Sequence, residues 1–187
     1  MTKKAKRMLA LMDRATTLWH IPVVGRAKGR IIRRVIERHG SQRGIEIGAL
    51  IGYSAIVIAS AMPPKGRLVC VEVDAFLTWM AQANANEAGL GRKVKVVTGD
   101  ALRVIPMLPG RFDFAFIDAA KEDYLEYLRQ LEPKLVAGAV VIADNTGPSF
   151  RRDVKPYLDY VRDPLGRYTS REYEVDDDAM EVSVLSR

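Results

Sequence analysis

The stretch GIEIGALIGYS, residues 44–54, decides the fold class of this chain. It starts as a short apolar strand, turns at two glycines four positions apart, Gly48 and Gly52, and continues as an apolar helix. Glycine tolerates positive φ angles and lets the backbone approach a ligand closely, and a helix N-terminus favours negatively charged groups. The turn matches neither the dinucleotide pattern G-x-G-x-x-G nor a phosphate-binding loop. Glycine-rich tight turns of this kind also occur in α/β proteins that bind nothing there.

Strand-like and helix-like segments alternate from this stretch onward. Short β-branched, apolar runs predict strands, and the stretches between them have helical character. Strands are predicted at Gly44–Ile47, Leu68–Val73, Val94–Val97, Phe112–Ile117 and Ala139–Ala143, with helices near residues 53–62, 75–88, 101–108 and 122–135. Strands this apolar are buried on both faces, which is typical of a parallel sheet between two layers of helices.

The C-terminal part predicts a hairpin at the edge of that sheet. A further helix is expected near residues 150–162. One late strand ends at Val175, and Glu181–Leu185 alternates as another. We expect these last two strands to pair antiparallel, which gives an α/β fold with a mostly parallel sheet of seven strands.

Residues 1–43 form a basic segment ahead of the alternation. They hold twelve Lys and Arg residues but only two acids, in a chain of 187 residues with a net charge of +6. Apolar residues recur at helical spacing between Ile31 and Ile36, and Gly40 is expected to end that helix. We expect one or two amphipathic helices that pack on a core of residues 44–187 within a single domain. Their basic face either binds a polyanion or is a solvated helix surface.

The composition is that of an ordinary globular protein, with 48% hydrophobic and 28% charged residues. The single cysteine, Cys70, allows no intramolecular disulfide and favours a reducing compartment. The longest apolar stretches, near residues 55–62 and 137–143, are far shorter than the ~20 residues of a membrane-spanning helix. The apolar run after the basic N-terminus is too short for a signal peptide. We therefore expect a cytoplasmic protein without membrane contact.

An acid stands at or just after the end of each of the first five predicted strands. These acids are Glu46, Glu72, Asp100, Asp118 and Asp144, the last followed by Asn145. Ligands of open α/β sheets bind beyond the carboxyl ends of the strands, so the acids are expected at one rim. Structural turn residues would be scattered and would not place an acid at every strand end. The pattern therefore predicts a ligand site.

A nucleoside would suit one part of this rim. Glu72 can accept hydrogen bonds from both hydroxyls of a ribose, as an acid at the end of the second strand often does. Asp100 can accept one from an adenine amino group. Asp100 could equally be the N-cap of the next helix, a role that Asp74 also fits.

Several motifs together resemble the metal-dependent O-methyltransferases, a family that includes catechol O-methyltransferase and the caffeoyl-CoA type. These motifs are Glu46–Ser54, Val71–Asp74, Gly99–Ala101, Phe116–Lys121 and Asp144–Asn145, with Gly25–Gly29 and Tyr168–Ser170 adding to the likeness. The resemblance covers residues 19–187. It implies a Rossmann-like class I methyltransferase fold and S-adenosylmethionine as the methyl donor.

The resemblance also implies which residues surround the donor. They are Glu46 and Gly48 at its methionine part, Tyr53 and Ser54 at its charged end, Glu72 and Val73 at the ribose, Asp100 and Ala101 at the adenine, and Asp118 beside them.

Asp118, Asp144 and Asn145 resemble the metal ligands of the family. Three oxygen donors, two of them anionic, suit a hard cation such as Mg²⁺, or Ca²⁺ or Mn²⁺ in its place. Zinc is disfavoured because the chain has two histidines and one cysteine, none at ligand spacing. Lys121 follows Asp118 by three residues, and the resemblance makes it the candidate general base.

The substrate side is the least constrained part of the prediction. The candidates for contact with the acceptor are Trp19, Ile21, Lys121, Asn145 and Pro148. Core packing would explain the three apolar ones equally well. The resemblance also implies an acid that faces a second hydroxyl of the acceptor. Glu172 and Glu174 both lie near the matching position, and both stay candidates.

We therefore predict a Mg²⁺-dependent O-methyltransferase that acts on a hydroxyl of a small, catechol-like vicinal diol. One alternative is a methyltransferase for a hydroxylated tRNA base, which would use the basic N-terminal segment. A second is a non-catalytic cofactor-binding protein, in which Lys121 and the metal ligands would be dispensable. The sequence is compatible with a monomer or a homodimer.

Overall fold

A mixed seven-stranded sheet forms the centre of the computed structural model, which describes residues 1–186. The strand order is β3-β2-β1-β4-β5-β7-β6. Strands β1 to β5 pair with one another in parallel, and β7 pairs antiparallel with both β5 and β6.

The helices and strands alternate along most of the chain. In order they are α1 (Lys3–Trp19), α2 (Gly25–His39), β1 (Arg43–Ile47), α3 (Tyr53–Ala61), β2 (Arg67–Glu72), α4 (Ala75–Glu87), β3 (Val94–Thr98), α5 (Ala101–Met107), β4 (Phe112–Ile117), α6 (Tyr124–Leu131), β5 (Leu135–Ala143), α7 (Lys155–Val161), β6 (Tyr168–Val175) and β7 (Asp178–Leu185). Short 3₁₀ turns at Lys121–Asp123 and Glu132–Lys134 flank α6.

Two apolar layers cover the faces of the sheet. One joins α1 to α4 with one set of strand side chains, among them Phe114 and Ile142. The other joins α5 to α7 with the alternate set, among them Ile45 and Ile117. Successive strand residues point to opposite faces, so strands covered on both sides need apolar residues at nearly every position. This explains the apolar run of β5 and that of β4, which Asp113 alone interrupts.

The basic N-terminal segment forms two helices that lie on the sheet's first helical layer. Helix α1 begins after Thr2, whose hydroxyl caps the Ala5 amide at 3.2 Å. Helix α2 ends at Gly40, which adopts a φ of 63°. Ala5 and Leu9 of α1 and Ile36 of α2 are buried against α3 and α4, whereas most of the basic side chains are exposed.

The structure confirms the fold class, the parallel arrangement and the antiparallel edge hairpin. Some predicted boundaries were wrong. The helix expected near 122–135 is shorter because Pro133 has no amide to donate and follows the last turn of α6. Strand β5 starts at Leu135 rather than Ala139, with an irregular register opposite β4 around the positive-φ residue Gly138. Helix α7 starts at Lys155 rather than near residue 150, because turns occupy residues 148–154.

None of the helices within residues 1–186 has the length and apolarity that crossing a membrane would require.

Candidate active site

A cavity of about 400 Å³ lies at the carboxyl ends of β1, β2, β4 and β5. Its walls come from the turn after β1, from the strand-end acids, and from the segment that joins α1 to α2. Of the residues predicted around a donor, a metal or a base, eight line this cavity. They are Gly48, Tyr53, Ser54, Glu72, Asp118, Lys121, Asp144 and Asn145.

The turn between β1 and α3 brings the backbone close to the neighbouring strand. Gly48 has a φ of 87°, and a Cβ added there would lie 2.1 Å from the carbonyl oxygen of Asp118. Only glycine permits this approach of the ends of β1 and β4. Helix α3 starts after Gly52 without a side-chain cap, so its first amides remain available at the cavity wall beside Tyr53 and Ser54.

Glu72 holds this turn in place. Its Oε2 accepts hydrogen bonds from the amides of Ala49 (3.1 Å) and Leu50 (2.8 Å), and its Oε1 accepts one from the amide of Asp74 (3.1 Å). A carboxylate can accept about four hydrogen bonds, so capacity for a ribose hydroxyl remains. Asp74 itself caps α4 through the amide of Leu77.

Glu46 is fully buried and does not line the cavity. Neither of its carboxylate oxygens has a hydrogen-bond partner of good geometry within residues 1–186. Burial raises the pKa of Glu46 to about 7, while the nearby Cys70 thiol and Ser54 hydroxyl oppose the rise. Ser54, whose hydroxyl acts on the Glu46 carboxyl, itself lines the cavity.

The three predicted metal ligands sit on adjacent strand ends. The amide of Asp118 donates to the carbonyl of Ile47 at 2.9 Å, and the amide of Asp144 donates to that of Ile117 at 3.0 Å. These bonds continue the sheet pairing beyond β1, β4 and β5. They place both aspartates, with Asn145 next in the chain, at one side of the cavity.

Each of these ligands uses one side-chain atom in a protein contact and keeps an oxygen without one. The contacts are Asp118 Oδ1 to Lys121 (3.0 Å), Asp144 Oδ1 to Lys28 (2.5 Å) and to the Asn145 amide (2.8 Å), and Asn145 Nδ2 to Asp178 (2.7 Å). The other oxygens, Oδ2 of both aspartates and Oδ1 of Asn145, form no hydrogen bond or ion pair with the described part of the chain. Three oxygens of this kind fit a hard cation that takes its remaining ligands from water or an acceptor.

No group of three or more His, Cys, Asp or Glu side chains in residues 1–186 is arranged to hold a metal. The candidate site therefore depends on the amide oxygen of Asn145 as its third protein ligand. A set of three oxygen donors favours a hard cation such as Mg²⁺ over zinc.

Lys121 is held between an acid and a phenol. Its Nζ lies 3.0 Å from Asp118 Oδ1 and donates to the hydroxyl of Tyr124 at 2.9 Å. That hydroxyl donates in turn to the carbonyl of Asp144 at 3.1 Å. Burial, with the charges of Asp118 and Asp144, raises the pKa of Tyr124 well above its usual range, so the phenol stays protonated. The ring of Phe150 lies 5.7 Å from the same ammonium.

Sequence reasoning missed two charged residues at this site. The ammonium of Lys28 in α2 is buried between Asp144 and Asp178, at 2.5 and 2.6 Å. Burial alone would lower the pKa of Lys28, but the two carboxylates outweigh it and raise the pKa. Burial also raises the pKa of Asp144 to about 6, where the charge of Asp118 adds to the rise and Lys28 opposes it. The motif Gly25–Gly29 carried the only sequence signal for Lys28.

Several predicted residues lie away from the cavity. Asp100 is exposed and caps α5 through the amide of Leu102 at 2.9 Å, which is the alternative considered for it. Its neighbour Ala101 is buried in the core, and Val73 is 72% exposed. These three residues do not line the cavity as the structure shows it.

The predicted apolar walls come from different residues. Trp19 is 72% exposed at the end of α1, Ile21 packs on the core, and Pro148 is exposed. The cavity is lined instead by Pro22, Val23, Val24, Leu50 and Phe150.

The edge hairpin places Asp178 next to the site. The two glutamates predicted for this role, Glu172 and Glu174, do not line the cavity. Glu172 pairs with Arg151 and Arg162 at 2.7 and 2.6 Å, and Glu174 is exposed.

Comparison with known proteins identifies the family to which this chain is similar. Residues 3–149 match the model of a family described as O-methyltransferase. A catechol O-methyltransferase of Niastella koreensis is 35% identical over 122 residues, which cover 63% of this chain and 55% of that protein. Caffeoyl-CoA O-methyltransferase 2 of Zea mays is 30% identical over 153 residues, which cover 77% and 58%. The match thus spans little more than half the length of these relatives.

Solved structures share the fold. An O-methyltransferase from Bacillus cereus in complex with SAH superimposes with a TM-score of 0.86 at 22% identity, covering 96% of this chain and 91% of that one. The O-methyltransferase TomG from Streptomyces achromogenes, in complex with SAM, gives 0.85 at 24% identity and covers 100% and 91%.

Proposed function

The chain belongs to the O-methyltransferase family, and we propose that it transfers the methyl group of S-adenosylmethionine to a hydroxyl of a small, catechol-like vicinal diol with the help of Mg²⁺. The observation that carries this proposal is the convergence of three unpaired oxygens, from Asp118, Asp144 and Asn145, with the ammonium of Lys121 in one cavity.

The residues present fit both groups that the reaction requires. The uncapped start of α3 would take the carboxylate of the donor, and Glu72 would take its ribose. Asp118, Asp144 and Asn145 would hold the cation. When bound, the donor supplies a methyl group on a sulfonium, and the cation stabilises the oxyanion of the acceptor.

Lys121 is the group placed to take the proton of the acceptor hydroxyl. Asp118 and Tyr124 fix the position of its Nζ from two sides. In its neutral form this amine would accept the proton, the acceptor oxygen would take the methyl group, and the donor would leave as its neutral thioether, so no covalent enzyme intermediate is required. Pro22, Val23, Val24 and Phe150 supply apolar surface for an aromatic ring and limit water at the reacting oxygen.

The proposal extends to the setting of the protein. We propose a single domain that acts as a monomer or homodimer in the cytoplasm. The buried, unpaired Cys70 supports a reducing compartment. The cavity of about 400 Å³ would have to hold the donor and the acceptor together, which supports acceptors of small size.

A radiolabelled methyl-transfer assay tests the proposal. Catechol, a caffeate ester and tRNA are offered as acceptors, with and without EDTA. We expect transfer to the diols, loss of transfer in EDTA, and recovery when Mg²⁺ is added in excess. Full activity in the chelator would refute the metal-assisted reaction, and transfer to tRNA alone would refute the small acceptor.

Substitution of the base is the second arm of this test. Lys121→Met should lower kcat by about a hundredfold or more, the range that general base catalysis contributes. Lys155→Met is the matched control, because Lys155 pairs only with Asp159 on the surface of α7. A K121M enzyme as fast as K155M at every pH would show that another group takes the proton.

A further inference from the structure

We infer that Asp178 is a positioning residue of the metal centre, which turns the side-chain amide of Asn145 so that its oxygen serves as the third ligand. This inference rests on the proposed function, because it concerns the same cation. It assigns a role to the end of the turn between β6 and β7, where Asp178 begins β7 and where no residue lines the cavity.

The side chain of Asn145 has two ends of opposite character. Its Nδ2 can only donate a hydrogen bond, and its Oδ1 can only accept one or bind a cation. Asp178 Oδ2 lies 2.7 Å from Nδ2. Because a carboxylate accepts and does not donate, this contact selects the rotamer with Oδ1 on the opposite side of the amide. Without Asp178 both orientations would be allowed, and one of them presents Nδ2 to the cation.

Asp178 is itself fixed by two backbone amides. Its Oδ1 accepts the amides of Ala179 at 2.8 Å and Gly147 at 3.1 Å. A Cβ at Gly147 would lie 2.6 Å from the Cα of Asp178, so the loop after Asn145 packs directly on the hairpin. The orientation imposed on Asn145 is therefore transmitted from the backbone of β7 rather than from a mobile surface side chain.

Lys28 stabilises the close approach of the Asp178 carboxylate to the buried carboxylate of Asp144. Its side chain is only 10% exposed, and its ammonium bridges Asp178 Oδ2 and Asp144 Oδ1. Two carboxylates brought together without this charge would repel each other. Asp118, Asp144 and Asp178, set against Lys28 and Lys121, leave one net negative charge at the site, which suits a divalent cation.

The test measures Mn²⁺ binding to the full chain without donor or acceptor. The electron paramagnetic resonance signal of the free Mn²⁺ reports how much remains unbound. Asp178→Ala should weaken binding by about ten- to a hundredfold, the usual effect of losing a group that orients a ligand. Asp178→Asn should lose less, because an amide retains one oxygen that can accept from Asn145 Nδ2.

Asp177→Ala is the matched control. Asp177 is an exposed neighbour in the same turn, so this variant removes the same charge without touching Asn145. Equal affinities of D178A and D177A would overturn the positioning role and leave the proposed function intact. Absence of Mn²⁺ binding by the wild-type chain would overturn both. Thermal unfolding in EDTA checks that each variant is folded. If D178A is not folded, the Mn²⁺ affinity of D178N relative to D177A tests the positioning role instead.

Discussion

At the scale of single residues, the buried carboxyl of Glu46 makes stability depend on pH. Burial raises its pKa to about 7 in the folded chain from an ordinary value of 4.5. The folded state then binds the proton more tightly than the unfolded state, so the free energy of unfolding falls as pH rises from about 4.5 to about 7. At about 1.4 kcal/mol per pKa unit, the loss is about 3 kcal/mol.

We expect Glu46→Gln to flatten this dependence, as measured by urea unfolding between pH 5 and 7 in EDTA. Asp144, whose pKa burial raises to about 6, adds a loss of the same sign. That second contribution is common to wild type and variant, so the difference between them isolates Glu46. Glu87→Gln, at an exposed position of α4, is the control and should keep the wild-type slope. A slope unchanged in E46Q would mean that Glu46 stays charged in the folded protein.

At the scale of elements, helix α2 is attached to the sheet by one buried ion as well as by its apolar face. Ile32 and Ile36 are fully buried, and Lys28 reaches from the first turns of the helix to the end of β5 and the start of β7. Removing one partner of a buried ion pair leaves the other charge uncompensated, which typically costs about 3–5 kcal/mol.

Lys28→Met should therefore lower the free energy of unfolding of the metal-free protein by about 3 kcal/mol at pH 7.5, measured with urea. Arg30→Met, on the exposed side of the same helix, should change it by no more than about 0.5 kcal/mol. If both variants were equally stable, the pair would contribute nothing net and α2 would be held by its apolar residues alone.

At the scale of the whole molecule, the basic charge and the cavity are separate features. Residues 1–43 hold twelve of the 29 Lys and Arg residues but only two of the 23 acids, and most of these basic side chains lie on exposed faces of α1 and α2. The cavity wall, in contrast, includes several apolar residues. A small uncharged diol gains little from such a surface, because salt screens exposed charges over about 10 Å. We expect kcat/KM for catechol to change less than about threefold between 50 and 200 mM salt.

An RNA acceptor would behave differently, since six to ten phosphate contacts lose about 10³–10⁵ in affinity over the same range of salt. The measurement is kcat/KM for catechol and for tRNA at a series of KCl concentrations. A steep decline with an active tRNA substrate would favour the nucleic-acid alternative over the small diol.

The strand-end acids show how far the sequence could predict the site. Glu72, Asp118, Asp144 and Asn145 were found because the apolar runs locate the strand ends, and parallel strands present those ends at one rim. Trp19 was expected in the wall and lies exposed in the last turn of α1, because the chain reaches the cavity only beyond the left-handed residue His20 (φ 51°), at Pro22. A single backbone angle of this kind has no reliable signature in the residues around it.

The sequence by itself determined the order of helices and strands, the parallel sheet with its edge hairpin, and the acids along its rim. Those properties follow from local periodicity and turn chemistry, which neighbouring residues specify. The tertiary structure alone decided that Lys28 and Asp178, 150 positions apart, meet beside Asp144 and orient Asn145. That meeting depends on how α2 and the hairpin pack on the same end of the sheet, and packing over such a separation is set by the whole core rather than by either segment.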